Sequence, residues 1–222
     1  MQQVRPKRAL VVADGDLDSA SDLANGWALI VAADGGLAKA ERVGLEPQLV
    51  VGDGDSLTAE VLARLQRDGV EVVLHSREKD ASDTELAIRA AVDRGATEVV
   101  LAGALGGARA DHALANLLLL AAPDIRAQLT LVDGRTTVRV IGRYGPEKLD
   151  IDGAPGDLLT LLALSDEVCG VTLAGLAYPL QGATLRQGST LGLSNELADR
   201  HATVSVDSGR LAVIHTASEV TP

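Results

Sequence analysis

The chain contains no phenylalanine, and Trp27, Tyr144 and Tyr178 are the only aromatic residues among 222. Its core must therefore be aliphatic, and it lacks the rows of rings on which single-stranded nucleic acids stack. Cys169 is the only cysteine. One cysteine excludes an intrachain disulfide framework and a cysteine-based zinc site, and it leads to the expectation of a reducing, cytoplasmic location. Long apolar runs are missing too. Residues 117–122, an unbroken apolar run, fall far short of a membrane span, and residues 9–13, after a basic start, are too few for a secretory core. Positive charge is in deficit: 20 Lys and Arg against 31 Asp and Glu give a net charge of −11. Such a chain repels a phosphate backbone or an anionic bilayer, so no nucleic acid and no membrane is expected as a partner. A small polyanion can still bind where local donors or a divalent cation reverse the field.

The remaining composition, 46% hydrophobic and 23% charged, is that of an ordinary globular protein of one large or two small domains. Up to residue 127 one theme recurs five times. Short apolar runs at 9–13, 29–33, 49–51, 70–74 and 99–102 each lead into a polar cluster, and a helical pattern follows. The clusters are Asp14-Gly15-Asp16, Asp34-Gly35-Gly36, Gly52-Asp53-Gly54-Asp55-Ser56, Lys79-Asp80-Ala81-Ser82-Asp83 and residues 103–112. Continuous apolar strands alternating with helices predict a parallel sheet covered on both faces. Ligands bind outside the carboxyl ends of such strands, where all five clusters fall.

Beyond residue 127 the period changes to two. Residues 137–141 alternate, and residues 202–206 and 210–214 flank Asp207-Ser208-Gly209, which reads as a hairpin. Residues 195–199 suggest at most a helical turn. The expected fold class is α/β: an N-terminal parallel-sheet α/β domain over 1–127, then a C-terminal antiparallel β-sandwich domain over 128–222.

Asp53 and Asp55 are two residues apart, a spacing that puts both carboxylates on one side of an extended backbone. Two like charges held together need a cation or a proton between them, and hard oxygen donors suit Mg²⁺. A solvated Asp/Gly turn accounts for the same spacing. Ser82-x-x-Glu85 reads as a capping box for a helix over 83–94, and Asp83 suits the positive end of that helix. That leaves Lys79 and Asp80 unexplained: Asp80 or Asp83 as a further metal or water ligand, with Lys79 facing phosphate, is the functional reading. Gly103-Ala104-Leu105-Gly106-Gly107-Ala108-Arg109 can turn backbone N–H groups toward phosphate, and Arg109 adds a forked cation. The segment is neither a Walker loop nor a dinucleotide fingerprint. Asp111 in it can equally cap the following helix. Asp34-Gly35-Gly36 and Gly192-Leu193-Ser194-Asn195-Glu196 are, taken singly, plain turns.

Taken together and in order, Ala33-Asp34-Gly35-Gly36, Gly52-Asp53-Gly54-Asp55-Ser56, Lys79-Asp80-Ala81-Ser82-Asp83-Thr84-Glu85, the Gly106-Gly107 to Arg109-Ala110-Asp111-His112 segment and Gly192-Leu193-Ser194-Asn195-Glu196 resemble the thiamine pyrophosphokinases over nearly the whole chain. The resemblance implies a catalytic, ATP- and Mg²⁺-binding first domain, a thiamine-binding second domain and a homodimer. It implies transfer of pyrophosphate from ATP to the thiamine hydroxyl, giving thiamine diphosphate and AMP. Asp53, Asp55 and Asp83 are implied as metal ligands, and these three with Asp80 and Arg109 as catalytic residues. Asp34, Gly35, Ser56 and Lys79 are implied beside them. Gly106, Gly107 and Asp111 match the nucleotide-side loop, and Ser194 and Asn195 the segment that helps hold thiamine. The sequence departs from the family at Ala108, which separates Gly107 from Arg109, and at Gly54, which stands where a bulkier residue is common. An aromatic contact to thiamine would fall to Tyr178, Tyr144 or Trp27. The alternatives are a pyrophosphokinase acting on a hydroxymethyl pterin, and a nucleotide-binding regulatory module without turnover.

Overall fold

The structure is a computed structural model in which residues 7–20, 23, 26–142 and 145–218 are described. It divides into two compact units, Met1–Gly134 and Arg135–Pro222.

The first unit is a six-stranded, all-parallel sheet. Its strands are β1 (Arg8–Val12), β2 (Leu29–Ala33), β3 (Leu49–Gly52), β4 (Glu71–Leu74), β5 (Glu98–Ala102) and β6 (Gln128–Asp133). Their spatial order is β6-β5-β1-β2-β3-β4. The helices are α1 (Gly36–Arg42), α2 (Ala59–Arg67), α3 (Asp83–Asp93) and α4 (Ala110–Leu119). Successive side chains of a strand face opposite ways, so a run such as Ala9-Leu10-Val11-Val12 buries well only if both faces are covered. Leu37 and Ala40 of α1 and Leu65 of α2 pack with Leu10, Val12, Ala32 and Val50. The alternate residues Ala9, Val11, Val31 and Val51 are fully buried as well, and α3, through Ala87, Ile88 and Ala91, packs on β1, β2 and β3.

Two expectations are corrected here. The described residues between β1 and β2 form turns and bends, not a helix; Leu17 and Leu23 are nevertheless buried against β1 and α1. The parallel sheet also runs one strand past residue 127. β6 alternates because only Leu129 and Leu131 are buried, and a half-buried strand reads as period two whichever way it pairs.

Ser82 caps α3 as the sequence predicts, accepting from the Glu85 N–H at 3.2 Å. The reciprocal half of the box is not made, because Glu85 turns to Arg89 at 2.7 Å. Ser82→Ala should cost about 1 kcal/mol of stability, read as a shifted urea midpoint at unchanged slope.

The second unit packs two antiparallel sheets face to face. One takes β12 (Asn195–Glu196), β9 (Leu158–Ala163), β14 (Arg210–Thr216) and β7 (Thr136–Gly142) in that order. The other takes β11 (Ala183–Arg186), β10 (Glu167–Ala174), β13 (His201–Ser205) and β8 (Lys148–Asp152). Alternate residues of both, including Leu159 and Leu161, Val171 and Leu173, Ala202 and Val204, and Leu211 and Val213, make one aliphatic core. The expected hairpin does not form. β13 pairs with β8 and β10, whereas β14 pairs with β7 and β9. Asp207-Ser208-Gly209 is a corner that carries the chain from one sheet to the other, bridged at Ser208 to Cys169. A corner and a hairpin use the same turn residues. Residues 195–196 are a short edge strand on β9 instead of a helical turn.

Candidate active site

The strand order of the first unit reverses at β1, which has β5 on one side and β2 on the other. A crevice opens at the carboxyl end of such a switch point. Here it is a cleft of about 330 Å³, walled by the ends of β1 and β2, the loop after β5 and the first turns of α3 and α4.

Asp34 follows β2 and is held in the left-handed region at φ 46°; among the described non-glycine residues only Ser194, at φ 55°, shares that region. Aspartate tolerates this conformation better than most side chains. The Asp34 N–H donates to Val51 O at 2.8 Å, and its Oδ1 accepts from the Ser56 hydroxyl at 2.7 Å. Gly35 permits a close approach: a Cβ there would lie 2.5 Å from Asp14 Oδ1. After β3, the Asp55 N–H donates to Asp53 Oδ1 at 3.0 Å and curls the loop. One oxygen from each of Asp34, Asp53 and Asp55 then lies within 4.8 Å of the others. Arg77, from the loop after β4, donates to Asp55 Oδ2 and lies 3.5 Å from Asp53 Oδ2. The Asp53 carboxyl sits below its ordinary range. The Asp55 N–H is the main cause; burial opposes it, and the charges of Arg77 and Lys79 assist.

Asp83 lines the cleft but stands outside this group of three, where sequence reasoning placed it with Asp53 and Asp55. Its Oδ1 accepts from Lys79 Nζ at 2.6 Å, an ion pair between the loop and the first residue of α3 that occupies the lysine expected to face phosphate. Asp80 is exposed on the loop before α3.

The loop after β5 turns through Gly106 and Gly107 at φ 75° and 76°. The Gly107 N–H already donates, to Asp16 Oδ2 at 2.9 Å. Arg109 is on the cleft wall, with Ala108 beside it, and holds Asp111 through two bonds of 2.9 and 2.6 Å. That guanidinium keeps the Asp111 carboxyl far below the usual range. Asp111 therefore answers Arg109 and makes no cap, and the N-cap residue, Arg109, makes no side-chain cap bond either. Asn116, the buried residue of α4, donates to Ala104 O at 2.9 Å and pins the loop to its helix.

Sequence reasoning assigned no role to Asp14, Asp16, Arg77 or Asn116. For the first two the signal was there, since Asp14-Gly15-Asp16 follows a strand as the other clusters do. Arg77, between Ser76 and Glu78, looks like an ordinary solvated charge.

In the second unit the Asn195 side chain is spent on structure. Its Oδ1 accepts from the Tyr178 and Glu196 N–H groups at 3.0 and 2.9 Å, and its Nδ2 donates to Tyr178 O at 2.7 Å. Ser194 next to it is exposed, and its N–H donates to Thr160 Oγ1 at 3.1 Å. Tyr178, fixed at both backbone groups, is 69% exposed. Trp27 is half-buried beneath the Arg8 guanidinium, 4.6 Å from its ring centre, and Tyr144 lies outside the described residues.

Comparisons with known proteins converge on one family. Residues 20–132 match the family described as "Thiamin pyrophosphokinase, catalytic domain", and residues 148–211 match "Thiamin pyrophosphokinase, vitamin B1 binding domain". The chain is 28% identical over 190 residues to a thiamine pyrophosphokinase of Bacillus subtilis, covering 85% of this chain and 87% of that one. A crystal structure of the Bacillus subtilis thiamine pyrophosphokinase superposes with a TM-score of 0.82 at 26% identity, over 96% of this chain and all of that one. A thiamin pyrophosphokinase family protein from Enterococcus faecalis gives 0.80 at 30% identity, with the same coverage. The carboxylate triad and the glycine loop stand within the catalytic-domain match, and the Ser194-Asn195 segment within the vitamin-binding match; the chain belongs to the thiamine pyrophosphokinase family.

Proposed function

We propose that this enzyme uses ATP as the pyrophosphoryl donor, with a divalent cation, Mg²⁺, held by Asp34, Asp53 and Asp55. The observation that carries this reading is the placing of three carboxylate oxygens, from two successive strand ends, within 4.8 Å of one another, with one of the three, Asp34, on the wall of a cleft that a glycine loop also lines. The donor set fits the ion. The oxygens are hard and anionic, and Mg²⁺ commonly takes one or two carboxylates, completing its shell with water and phosphate. When bound, the cation would offset the charge of the phosphate oxygens during transfer.

The thiamine hydroxyl oxygen attacks the β-phosphorus of ATP, and the bond from that phosphorus to the oxygen bridging it to the α-phosphorus breaks. AMP departs with the bridging oxygen, and the hydroxyl proton is released. The chain supplies position and charge in this reaction. Gly106 and Arg109 line the nucleotide side, Arg109 exchanging Asp111 for phosphate. Asp83, steadied by Lys79, is the cleft carboxylate that orients the incoming hydroxyl; Asp80 stands at its approach. Ser194 and the exposed Tyr178 are the groups of the second unit open to thiamine, and Asn195 holds them in place. We assign the first unit the catalytic part and the second the vitamin-binding part.

A homodimer is the assembly this reading carries. It is supported by apolar side chains left exposed on each unit: Leu114 and Leu118 on α4, and Leu191 and Leu193 beside Ser194. A cytoplasmic location accords with the unpaired thiol of Cys169. No helix among the described residues is long and apolar enough to cross a membrane.

The match to a vitamin B1 binding domain favours thiamine over a pterin acceptor, and the catalytic-domain match counts against a regulatory module. Purified protein given thiamine and MgATP should release AMP and thiamine diphosphate in equal amounts, and a hydroxymethyl pterin should release none. AMP release independent of thiamine, or supported better by the pterin, would reject the reading.

A further inference from the structure

Arg77 occupies an unusual place. Its side chain is 69% exposed, and a long exposed cation has every entropic reason to stay in water. Instead its guanidinium spans two carboxylates from another loop, bonded to Asp55 Oδ2 and 3.5 Å from Asp53 Oδ2. These two, with Asp34, are the acids whose oxygens lie within 4.8 Å of one another. Three anionic oxygens at that spacing repel one another strongly, and the repulsion must be offset by a positive charge. The other cations beside the cleft are committed: Lys79 to Asp83 and Arg109 to Asp111. Arg77 thus does for Asp53 and Asp55 what a divalent ion would do for the whole group, and it draws on two of the same carboxylates.

We propose that Arg77 is the built-in counter-ion of the acid group and competes with the divalent cation for it. The proposal rests on the reading of Asp34, Asp53 and Asp55 as the cation site. Guanidinium and metal draw on the same two carboxylates, so cation entry displaces Arg77. The displaced fork then sits at the rim beside a triphosphate, whose oxygens offer it the same planar, two-point contact it gives up. Arg77 in this way lowers the affinity of the free enzyme for the bare ion and favours entry of cation and nucleotide together. In the free enzyme it acts through the carboxylates of Asp53 and Asp55.

The test is Mn²⁺ binding to the full-length protein without nucleotide, followed by the electron paramagnetic resonance of free Mn²⁺. Wild type, Arg77→Ala, Arg77→Lys and a remote charge control, Arg64→Ala, would be compared. Arg64 pairs with Glu41 and touches none of the three acids. Arg77→Ala should bind Mn²⁺ roughly fivefold more tightly, Arg77→Lys by an intermediate factor, and Arg64→Ala as wild type. Without Mn²⁺, Arg77→Ala should melt below wild type, and the gap should close as Mn²⁺ is added. Equal dissociation constants in wild type and Arg77→Ala, or weaker binding in the variant, would overturn the proposal while leaving the cation site intact. Binding by none of the four proteins would remove the cation site and the proposal with it.

Discussion

Asp53→Asn and Asp55→Asn should each lower thiamine-dependent AMP release by roughly 10²–10³-fold, within the range typical for loss of one charge-stabilising group at a reaction centre. Each exchange is nearly isosteric. In Asp53→Asn the side-chain oxygen still accepts from the Asp55 N–H, so the curl of the loop survives. What is lost is one negative charge of the three that would hold the cation. Melting should therefore change little, because the acids repel one another and the partner left behind, Arg77, is mostly exposed. Asp80→Asn, on an exposed loop residue, should cost far less than either. The measurement is kcat/KM for AMP release beside a melting curve. Near-wild-type turnover in a folded Asp53→Asn protein would remove the acid group from the mechanism.

The largest stability effect is expected in the second unit, at Asp157. Its side chain is almost wholly buried, and all its acceptor capacity is used. Oδ1 accepts from the Ser218 N–H at 2.8 Å and the Ser218 hydroxyl at 2.9 Å. Oδ2 accepts from the Ala154 N–H at 2.9 Å and lies 3.0 Å from His215 Nε2. The turn between β8 and β9 is thereby tied to the end of β14, and the Asp157 carbonyl accepts from the Leu197 N–H beside β12. Asp157→Ala strands these donors in a buried site and should cost about 3–5 kcal/mol. Asp157→Asn keeps two acceptor sites and should cost less. Burial alone would push this carboxyl up. The hydrogen bonds from Ser218, Ala154 and His215 outweigh it and hold the group well below the ordinary carboxylate range. A folded-state value below the unfolded one, about 3.9, means that its stabilisation is fully present above that pH. It is lost as the pH falls further, toward the folded value. Urea unfolding should show the gap between wild type and Asp157→Asn constant from pH 7 to pH 5 and narrowing below about pH 4. A gap that widens on acidification would contradict the assignment.

The parts of the fold that buried apolar faces dictate were legible before any coordinates. The runs at β1, β2, β3 and β5 are continuous because both sides of the sheet are covered, and each delivers its acidic or glycine-rich turn to the same rim. Ser82 announced α3 through its capping spacing. Less legible was whatever depends on which element lies next door. β6 alternates like an antiparallel strand because burial on one face, and not pairing direction, sets the period. Asp207-Ser208-Gly209 has hairpin chemistry but serves as a corner, since turn residues specify a reversal and not the sheet that receives it. In the site, the pairing of Asp53 with Asp55 was readable from their spacing, but the substitution of Asp34 for Asp83 as third member was not. That depends on the left-handed backbone at Asp34 and on Lys79 reaching Asp83, both products of tertiary geometry. Arg77 and Asp157 left no local signal at all, one in a short charged stretch and the other in a Pro-Gly-Asp turn.

The most direct test is anomalous diffraction at the manganese edge, on crystals grown with Mn²⁺ and a non-hydrolysable ATP analogue. One strong peak is expected between the carboxylates of Asp34, Asp53 and Asp55, with phosphate oxygens completing its shell and the Arg77 guanidinium turned away from Asp55. A peak held elsewhere, with those three side chains still closed around Arg77, would contradict it.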